Sequence, residues 1–473
     1  MPREENAPGT LPQLLMDQAR RLGDGAAALR EKRYGIWQET SWAGYAAHVR
    51  MVCLGLVELG LASGDTVALI SGNRPTWLYV ELAAQSAGAI PVGISVDDGH
   101  DQVRYALAHS EARVVLAEDQ EQVDKVLSER DALPRLQHVV VHDTRGLEGY
   151  RDPMLVSLET VAERGRELAG RDPQAYERLL ARVKPTDVAL LAYPPGRGGA
   201  RAAMITHRNL LAMASGVTQV DPVRASDDIF SFLPFAWAAE QLISVAVALG
   251  SGATVNFPEE PATAREDLRE VAPHVLIAPP RFWEALRREC EVKLADAGAV
   301  KRATARAALA AGRAAAAGRG GRILHGCAYL LAARNVLDKL GLSRIRHAYA
   351  DGGRLDGETF EFFRALGLNL KPSYGQTETS GMCVLPRDGE VRATTVGTPT
   401  PGTRIRISDQ GEVLVASESV FLGYFKDAEA SARALDGGWL HTGDAGAIDE
   451  HGHLVLARSD AEGDGRRRAE GEP

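Results

Sequence analysis

Three short stretches gather side chains able to act on a nucleotide. SYGQTETS (373–380) places an aromatic ring, a carboxylate and four serine or threonine hydroxyls in eight residues. Tyr374 can stack on a flat ring, Thr377 can donate to a phosphate oxygen, and Glu378 can ligate Mg²⁺, a hard cation that takes oxygen ligands. GWLHTGDAG (438–446) sets Asp444 among glycines. A carboxylate there can accept both hydroxyls of a ribose, as acidic residues do in other nucleotide sites. YPPGRGGARAA (193–203) is a glycine-rich turn between a strand pattern, DVALLAY, and a helix pattern, THRNLLAMA. Glycines let a backbone approach phosphate, and a helix start offers free N–H groups. Each stretch also has a plainer reading: a polar loop satisfying its own backbone, a turn before a hairpin, or an ordinary strand-to-helix turn.

The elements around these stretches alternate. LPQLLMDQARRLGDGAAALR and SWAGYAAHVRMVCLGLVELGL carry apolar residues at helical spacing. DTVALIS, IPVGIS, ARVVLAE and HVVVHD read as short buried strands separated by helices. The pattern recurs through DVALLAY, DDIFSFLPF, ATVNF and HVLIAPP. Strand–helix alternation with short connections predicts an α/β fold with mainly parallel sheets covered by helices. ATARAALAAGRAAAAGRGGR reads as a solvated helix of alanine and arginine, both strong helix formers. Beyond Val396 the texture turns to β-hairpins, TRIRISDQGEVLVAS and GAIDEHGHLVLA. The expected organisation is one large domain, 1–457, made of two α/β lobes (1–186 and 187–395) and a smaller β-rich lobe (396–457). The end, 458–473, is charged and glycine-rich without a large apolar residue, so it is expected to stay disordered.

The chain has 473 residues, enough for a sizeable core and several lobes. Its net charge of −9 argues against a nucleic-acid partner, which asks for a basic stripe. Cys53, Cys290, Cys327 and Cys383 are far apart and form no CxxC, so a disulfide framework or zinc site is not expected and a reducing cytoplasm fits. MPREENAPGT lacks the apolar core of a signal peptide, and no apolar run reaches membrane-spanning length.

In order and spacing, the three stretches together resemble the adenylate-forming superfamily of acyl-CoA synthetases, adenylation domains and luciferases. Within it the chain looks most like bacterial long-chain fatty acyl-CoA synthetases. Supporting stretches include SGNRPTWLYVELAAQSAGAIPVGI, SFLPFAWAAEQ, TVNFPEEP and VFLGYFKDAEA. The resemblance implies a two-step ATP-dependent reaction using Mg²⁺, ATP and CoA. A fatty acid or other carboxylate attacks the α-phosphate to give an acyl-adenylate and pyrophosphate, and the CoA thiol then displaces AMP. It also implies roles. Tyr374, with Gly375 beside it, flanks the adenine opposite Gly352 and Gly353 of ADGGRL (350–355). Thr377 touches the α-phosphate, Glu378 ligates Mg²⁺, and Asp444 holds the ribose, helped by Arg458. Trp237 and Glu240, in LPFAWAAEQ (233–241), lie near the acyl and thiol channel, although Trp237 reads equally well as a core aromatic.

Two departures qualify this. The family's phosphate loop reads approximately YTSGTTG-x-PKG. Here Pro194 and Pro195 replace the hydroxyl-bearing positions after Tyr193, and each proline also deletes a backbone N–H. The lysine is gone, with Arg201 near its place and Arg197 new. Arginine binds phosphate but is not equivalent to lysine. The family also continues into a small mobile lid that supplies a lysine, whereas this chain has Ala457 at the hinge position and then the charged tail. The sequence thus supports a fatty acyl-CoA synthetase-like enzyme, weak in the isolated chain or borrowing a lid from a partner. The alternative is a degenerate acyl- or AMP-binding protein or truncated pseudoenzyme.

Overall fold

The computed structural model describes residues 9–194, 201–316 and 333–457. Two large, mainly parallel sheets dominate it. The first has eight strands in the order Gly423–Tyr424, Ala203–Thr206, Val188–Ala192, Ile90–Ile94, Thr66–Ile70, Val114–Ala117, His138–Val141 and Leu155–Ser157. From Val188–Ala192 onward its strands run parallel, and the two at the other edge are added antiparallel. The second has seven strands in the order Leu370–Pro372, His347–Ala350, Val275–Ala278, Asp228–Phe230, Thr254–Phe257, Ala27–Arg33 and Ile36–Ser41. Only its last pair is antiparallel. The central strands are buried along their whole length, as parallel strands covered on both faces must be.

Sheet membership crosses the expected boundary at 186/187 in both directions. Ala27–Arg33 pairs in parallel with Thr254–Phe257 of the second sheet, while Val188–Ala192 and Ala203–Thr206 join the first. AAALR therefore ends the first helix pattern as a strand. Tyr34 and Gly35 both take positive φ (51° and 74°), the signature of a tight turn that folds Ala27–Arg33 onto Ile36–Ser41.

Covering helices meet the sheets through small residues where they must come close. Trp42–Glu58 crosses Leu158–Arg171 at Gly55 and Gly165. A Cβ on Gly55 would lie 1.8 Å from the Val161 carbonyl oxygen, and one on Gly165 equally close to that of Met51. The alanine-rich helix Ala299–Ala316 is not simply solvated: Ala305 and Ala308 are buried, and a Cβ on Gly312 would lie 1.9 Å from the Ala365 carbonyl oxygen. The rest of that low-complexity stretch lies outside the described residues. Gln241–Val247 forms a buried π-helical segment, a geometry frequent at functional sites.

The β-rich part is an antiparallel sheet of Thr403–Ile407, Glu412–Ser417, Trp439–Ile448 and Leu435–Asp436, with Leu454–Leu456 pairing on Trp439–Ile448. Both expected hairpins form, turning at Gly411 and Gly452, each with positive φ. Among the described residues no helix is long and apolar enough to cross a membrane.

Candidate functional site

Ser373–Ser380 forms a hairpin, not an open loop. Tyr374–Gln376 pairs with Gly381–Leu385 around one 3₁₀ turn, Thr377–Thr379. Gly375 is obligatory, because a Cβ there would lie 1.8 Å from the Gly381 carbonyl oxygen. The turn is held by its own hydroxyls. Thr379 Oγ1 accepts from Gln376 N (2.8 Å), Ser380 Oγ donates to Ser419 O (2.7 Å), and Ser373 Oγ donates to Asp351 Oδ1 (2.7 Å). The Thr377 hydroxyl, half-buried, makes no hydrogen bond to the described residues. Among the hydroxyls of this hairpin it alone has no partner in the described residues.

Asp444 reaches this hairpin from the β-rich sheet. The pairing of Glu412–Ser417 with Trp439–Ile448 shifts register between Glu412 and Leu414, so Thr442–Asp444 bulges out. Gly443 has φ 73° there, and its N–H donates to Glu412 Oε1 (2.9 Å). The bulge swings Asp444 onto the hairpin. Tyr374 OH and Gln376 Nε2 both donate to its Oδ2, at 2.8 and 2.7 Å. Oδ1 accepts from no described residue, so one carboxylate oxygen is fixed and the other is presented. Burial, with the neighbouring carboxylate adding to it, pushes the Tyr374 phenol well above its usual range, so it stays a donor.

Gly352 and Gly353 follow the strand His347–Ala350 and are exposed. Ser373 ties their turn to the hairpin: its N–H donates to Ala350 O (3.0 Å) and its hydroxyl to Asp351. Burial raises the Asp351 carboxyl above its usual range. Tyr374 is thus bonded to Asp444, and the Gly352–Gly353 turn is tied to the same hairpin through Ser373.

Glu378 has a different partner. Tyr424 OH donates to its Oε1 at 2.8 Å. Tyr424 belongs to the two-residue strand Gly423–Tyr424, which adds to Ala203–Thr206. The Arg201 guanidinium sits 5.8 Å above the Tyr424 ring, and its Nε donates to Asp427 Oδ2 at 2.8 Å. Arg201 therefore stands near Glu378 but is already paired. Pro195, Arg197 and the glycines between lie outside the described residues, as does Arg458.

The glycine-rich turn is not backed by a helix as expected. A strand, Ala203–Thr206, returns antiparallel to Val188–Ala192 before the helix His207–Val220 begins. Thr206 caps that helix in a capping box with Asn209 (3.1 and 2.9 Å). The helix N-terminus is thus closed by its own side chains.

A cavity of about 1010 Å³ opens where the C-terminal ends of both parallel sheets meet. Its walls come from the segments after Thr66–Ile70, Ile90–Ile94, Val114–Ala117 and Val188–Ala192 on one side, and after Asp228–Phe230, Thr254–Phe257 and Val275–Ala278 on the other. Ligands of open α/β sheets bind outside the carboxyl ends of the strands. Aromatic rings line it, among them Trp77, Tyr193, Phe232, Phe235, Trp237 and Phe282. Trp237 lies on this wall. Glu240 does not: it is fully buried, and accepts from Ser231 Oγ (2.6 Å), Ser244 Oγ (2.6 Å) and Leu233 N (3.2 Å). Burial pushes its carboxyl up to about 7. Tyr193 lies in this wall, and Arg201, a few residues on in the sequence, stands over the ring of Tyr424, which bonds Glu378.

Gln376, Tyr424 and Asp427 escaped the sequence reading. Gln376 stood inside the motif as a neutral amide, and Tyr424 stood in a stretch, VFLGYFKDAEA, quoted without a role.

Comparison with known proteins agrees with this architecture. The AMP-binding enzyme family matches residues 15–425. The long-chain-fatty-acid–CoA ligase FadD15 of Mycobacterium bovis is 31% identical over 89% of this chain and 70% of its own. The long-chain-fatty-acid–CoA ligase ACSBG2 of Xenopus laevis is 27% identical over 95% of this chain and 62% of its own. The chain thus spans about two thirds of the length of these relatives. Among solved structures, the N-terminal domain of FACL13 from Mycobacterium tuberculosis superposes with a TM-score of 0.71 at 19% identity, covering 95% of this chain and all of that domain. The anthranilate CoA ligase AuaEII with anthranoyl-AMP also gives 0.71, at 20% identity, covering 95% of this chain and 78% of its own. The fold is that of the N-terminal domain of adenylate-forming enzymes. These similarities favour a synthetase over a degenerate binding protein. The chain belongs to the AMP-binding enzyme family, and within it is similar to the long-chain-fatty-acid–CoA ligases.

Proposed function

We propose that this chain activates a long-chain carboxylic acid with ATP to an acyl-adenylate and passes the acyl group to CoA. The observation that carries this reading is the link between two sites. The turn that starts at Tyr193 in the wall of the aromatic cavity ends at Arg201, beside Glu378 and the hairpin that binds Asp444. An acyl chain in the cavity and a nucleotide on the hairpin would meet at that turn.

The chain's own groups divide the work. The Tyr374 ring and the Gly352–Gly353 turn bracket the adenine, and Asp444, fixed through Oδ2, offers Oδ1 to the ribose hydroxyls. Thr377 donates to an α-phosphate oxygen. Donors preset at the place where charge develops stabilise the transition state without reorganising. The substrate carboxylate attacks the α-phosphorus and pyrophosphate leaves. The CoA thiol then attacks the acyl carbon and AMP leaves. Arg458 completes the ribose contacts in this reading.

The family resemblance brings Mg²⁺ with the ATP. Among the described residues no group of three or more His, Cys, Asp or Glu gathers to hold a metal alone. Mg²⁺ bound with a nucleotide takes only one or two protein carboxylates, the rest being phosphate and water oxygens. Glu378, with Oε1 held by Tyr424 and Oε2 open, fits that demand. When bound, the ion neutralises charge on the phosphate oxygens. A lysine-bearing lid, in the same protein or on a partner, belongs to the same reading. So does a cytoplasmic setting, which the buried free thiols of Cys53, Cys290 and Cys383 support.

The test is exchange of labelled pyrophosphate into ATP with a panel of fatty acids, which isolates the first half-reaction. Acid-dependent exchange is expected. AMP binding without exchange for any acid would leave a nucleotide-binding protein and refute the synthetase reading.

A further inference from the structure

Trp77 has no part in the chemistry above. It is 1% exposed, yet it lines the cavity. Two attachments fix it. One face stacks on Phe235, with centroids 5.6 Å apart and planes 20° from parallel. The indole N–H donates to Glu81 Oε2 at 2.7 Å. Glu81, one turn further along the helix Pro75–Ser86, is itself held by Gln241 Nε2 (2.9 Å) and Gln85 Nε2 (3.3 Å). The strand Ile90–Ile94 passes across the ring at Gly93. A Cβ on Gly93 would lie 2.9 Å from Ala236 Cα and 3.4 Å from Trp77 Cζ2, so the strand, Ala236 and the indole pack closely.

What stands behind the ring differs from what stands in front. In front is the aromatic cavity. Behind are Glu81, Gln85 and Gln241, with the Oε1 atoms of both glutamines buried and unpartnered among the described residues. A methylene chain pushed past Trp77 would be buried against polar groups and would break their bonds, which is costly. The other side of the cavity carries the exposed acids Asp97 and Glu121, which suit a wet mouth and not a methyl terminus.

We propose that the Trp77–Phe235 stack is the end wall of the acyl site and sets the longest acid the protein accepts, with Glu81 as the positioning residue that holds the indole across the cavity. This rests on the acyl reading of the cavity given above.

The experiment measures binding of saturated fatty acids of increasing length to the full chain with AMP present, by titration calorimetry. Wild type is expected to gain affinity with each methylene up to a break, beyond which affinity falls. Trp77→Ala moves the break to longer acids, and the first acid rejected by wild type gains about tenfold or more, the scale on which one methylene is discriminated in an apolar pocket. Short acids and AMP bind as before. Trp77→Phe, a smaller ring that keeps the core filled, moves the break the same way by less and decides the matter if the alanine variant does not fold. Glu81→Gln keeps an acceptor for the indole N–H and leaves the break in place, whereas Glu81→Leu blurs it. A break at the wild-type length in folded Trp77→Ala or Trp77→Phe protein overturns the wall. A wild-type protein that binds AMP but no fatty acid of any length overturns the acyl reading, and the wall with it.

Discussion

The hairpin of Tyr374–Gln376 with Gly381–Leu385 and the hairpin of Val188–Ala192 with Ala203–Thr206 point into the same region, but they are built on different terms. In the first, nearly every polar side chain has a stated partner, and one glycine is required by a 1.8 Å approach. In the second, the described ends are held by groups that are not phosphate ligands. The Tyr193 hydroxyl bonds His109 Nδ1 at 2.9 Å, Ala202 and Ala203 are buried, and Arg201 is tied to Asp427. The frame of the second hairpin is therefore secured by the sheet, whatever its tip carries. A loop can keep its place in such a fold while Pro194 and Pro195 stand where hydroxyl donors are expected. A nucleotide site made of these two parts should be strong at the nucleoside end and weak at the pyrophosphate end.

The largest effect that would break this contrast is at Asp444. Hydrogen bonds to a charged group contribute about 1.5–3 kcal/mol each. Loss of two ribose bonds in Asp444→Ala should weaken AMP at least about a hundredfold and abolish its thermal stabilisation, which otherwise follows from mass action. Because the change also strands Tyr374 OH and Gln376 Nε2, Asp444→Asn is the control that keeps one acceptor oxygen. Unchanged AMP affinity in folded Asp444→Ala would place the nucleoside elsewhere.

Next in size is the exchange of YPPGRGGARAA for a glycine-, serine-, threonine- and lysine-bearing loop. Wild type should be stabilised by AMP at least as much as by ATP–Mg²⁺, since only the nucleoside end is intact. The exchanged loop should reverse that order, by a factor of about ten or more in ATP affinity for each charged hydrogen bond restored. Differential scanning fluorimetry with both ligands decides it. A wild type that already prefers ATP strongly would show that the second hairpin is not impaired.

The two hairpins were also unequally legible in the sequence. Tyr374, Thr377, Glu378 and Asp444 could be singled out as candidates by type, and the order and spacing of their stretches, not any one stretch, set them apart from ordinary polar loops and turns. Their joining could not be read, because it depends on the register shift at Leu414 that bulges Thr442–Asp444, and backbone register leaves no mark in composition. Gln376 is neutral and Tyr424 is an ordinary sheet residue until a two-residue strand sets it against Glu378. At the second hairpin the strand between the turn and the helix was not read from the sequence. Met204, Ile205 and Thr206 extend a β-hairpin, and the β-branched pair was the available signal against a helix start. Alternation of strands and helices was enough for two parallel sheets. The crossing of Ala27–Arg33 into the second sheet is a pairing over more than two hundred residues, which local pattern cannot carry.

A smaller effect separates the hairpins from the core beneath them. Burial raises the carboxyls of Glu81 and Glu240 to about 7, from an ordinary 4.5. The native state therefore keeps protons that the unfolded chain has released, and stability falls as pH rises between about 4.5 and 7, then levels off. Glu240→Gln should flatten that fall and raise the denaturation midpoint at pH 8 relative to wild type. Urea melts at pH 5 and pH 8 measure it, and an unchanged slope would mean that Glu240 is ionised in the fold. Ligand responses of the hairpins are best compared above this window, where these two carboxyls no longer titrate.

The smallest effect on the free protein, and the sharpest on the contrast, is expected from Arg201→Ala. Its ion pair with Asp427 has side chains 55% and 34% exposed, and pairs of this kind are worth about 0–1 kcal/mol. The melting temperature of the ligand-free protein should barely move. For the same reason Arg201 can leave Asp427 for a phosphate at little cost, and it already stands over the ring whose hydroxyl holds Glu378. The expected result is a several-fold loss of ATP–Mg²⁺ affinity with AMP unchanged, because a single guanidinium on the outer phosphates replaces part of what the loop lacks. Arg201→Lys should not restore it fully, since the forked contact with phosphate and the stacking on Tyr424 both need the planar group. Loss of the AMP response would move Arg201 to the α-phosphate, beside Thr377. No change with either nucleotide would confine Arg201 to fastening the second hairpin to Asp427, and the contrast between the two hairpins would then be complete.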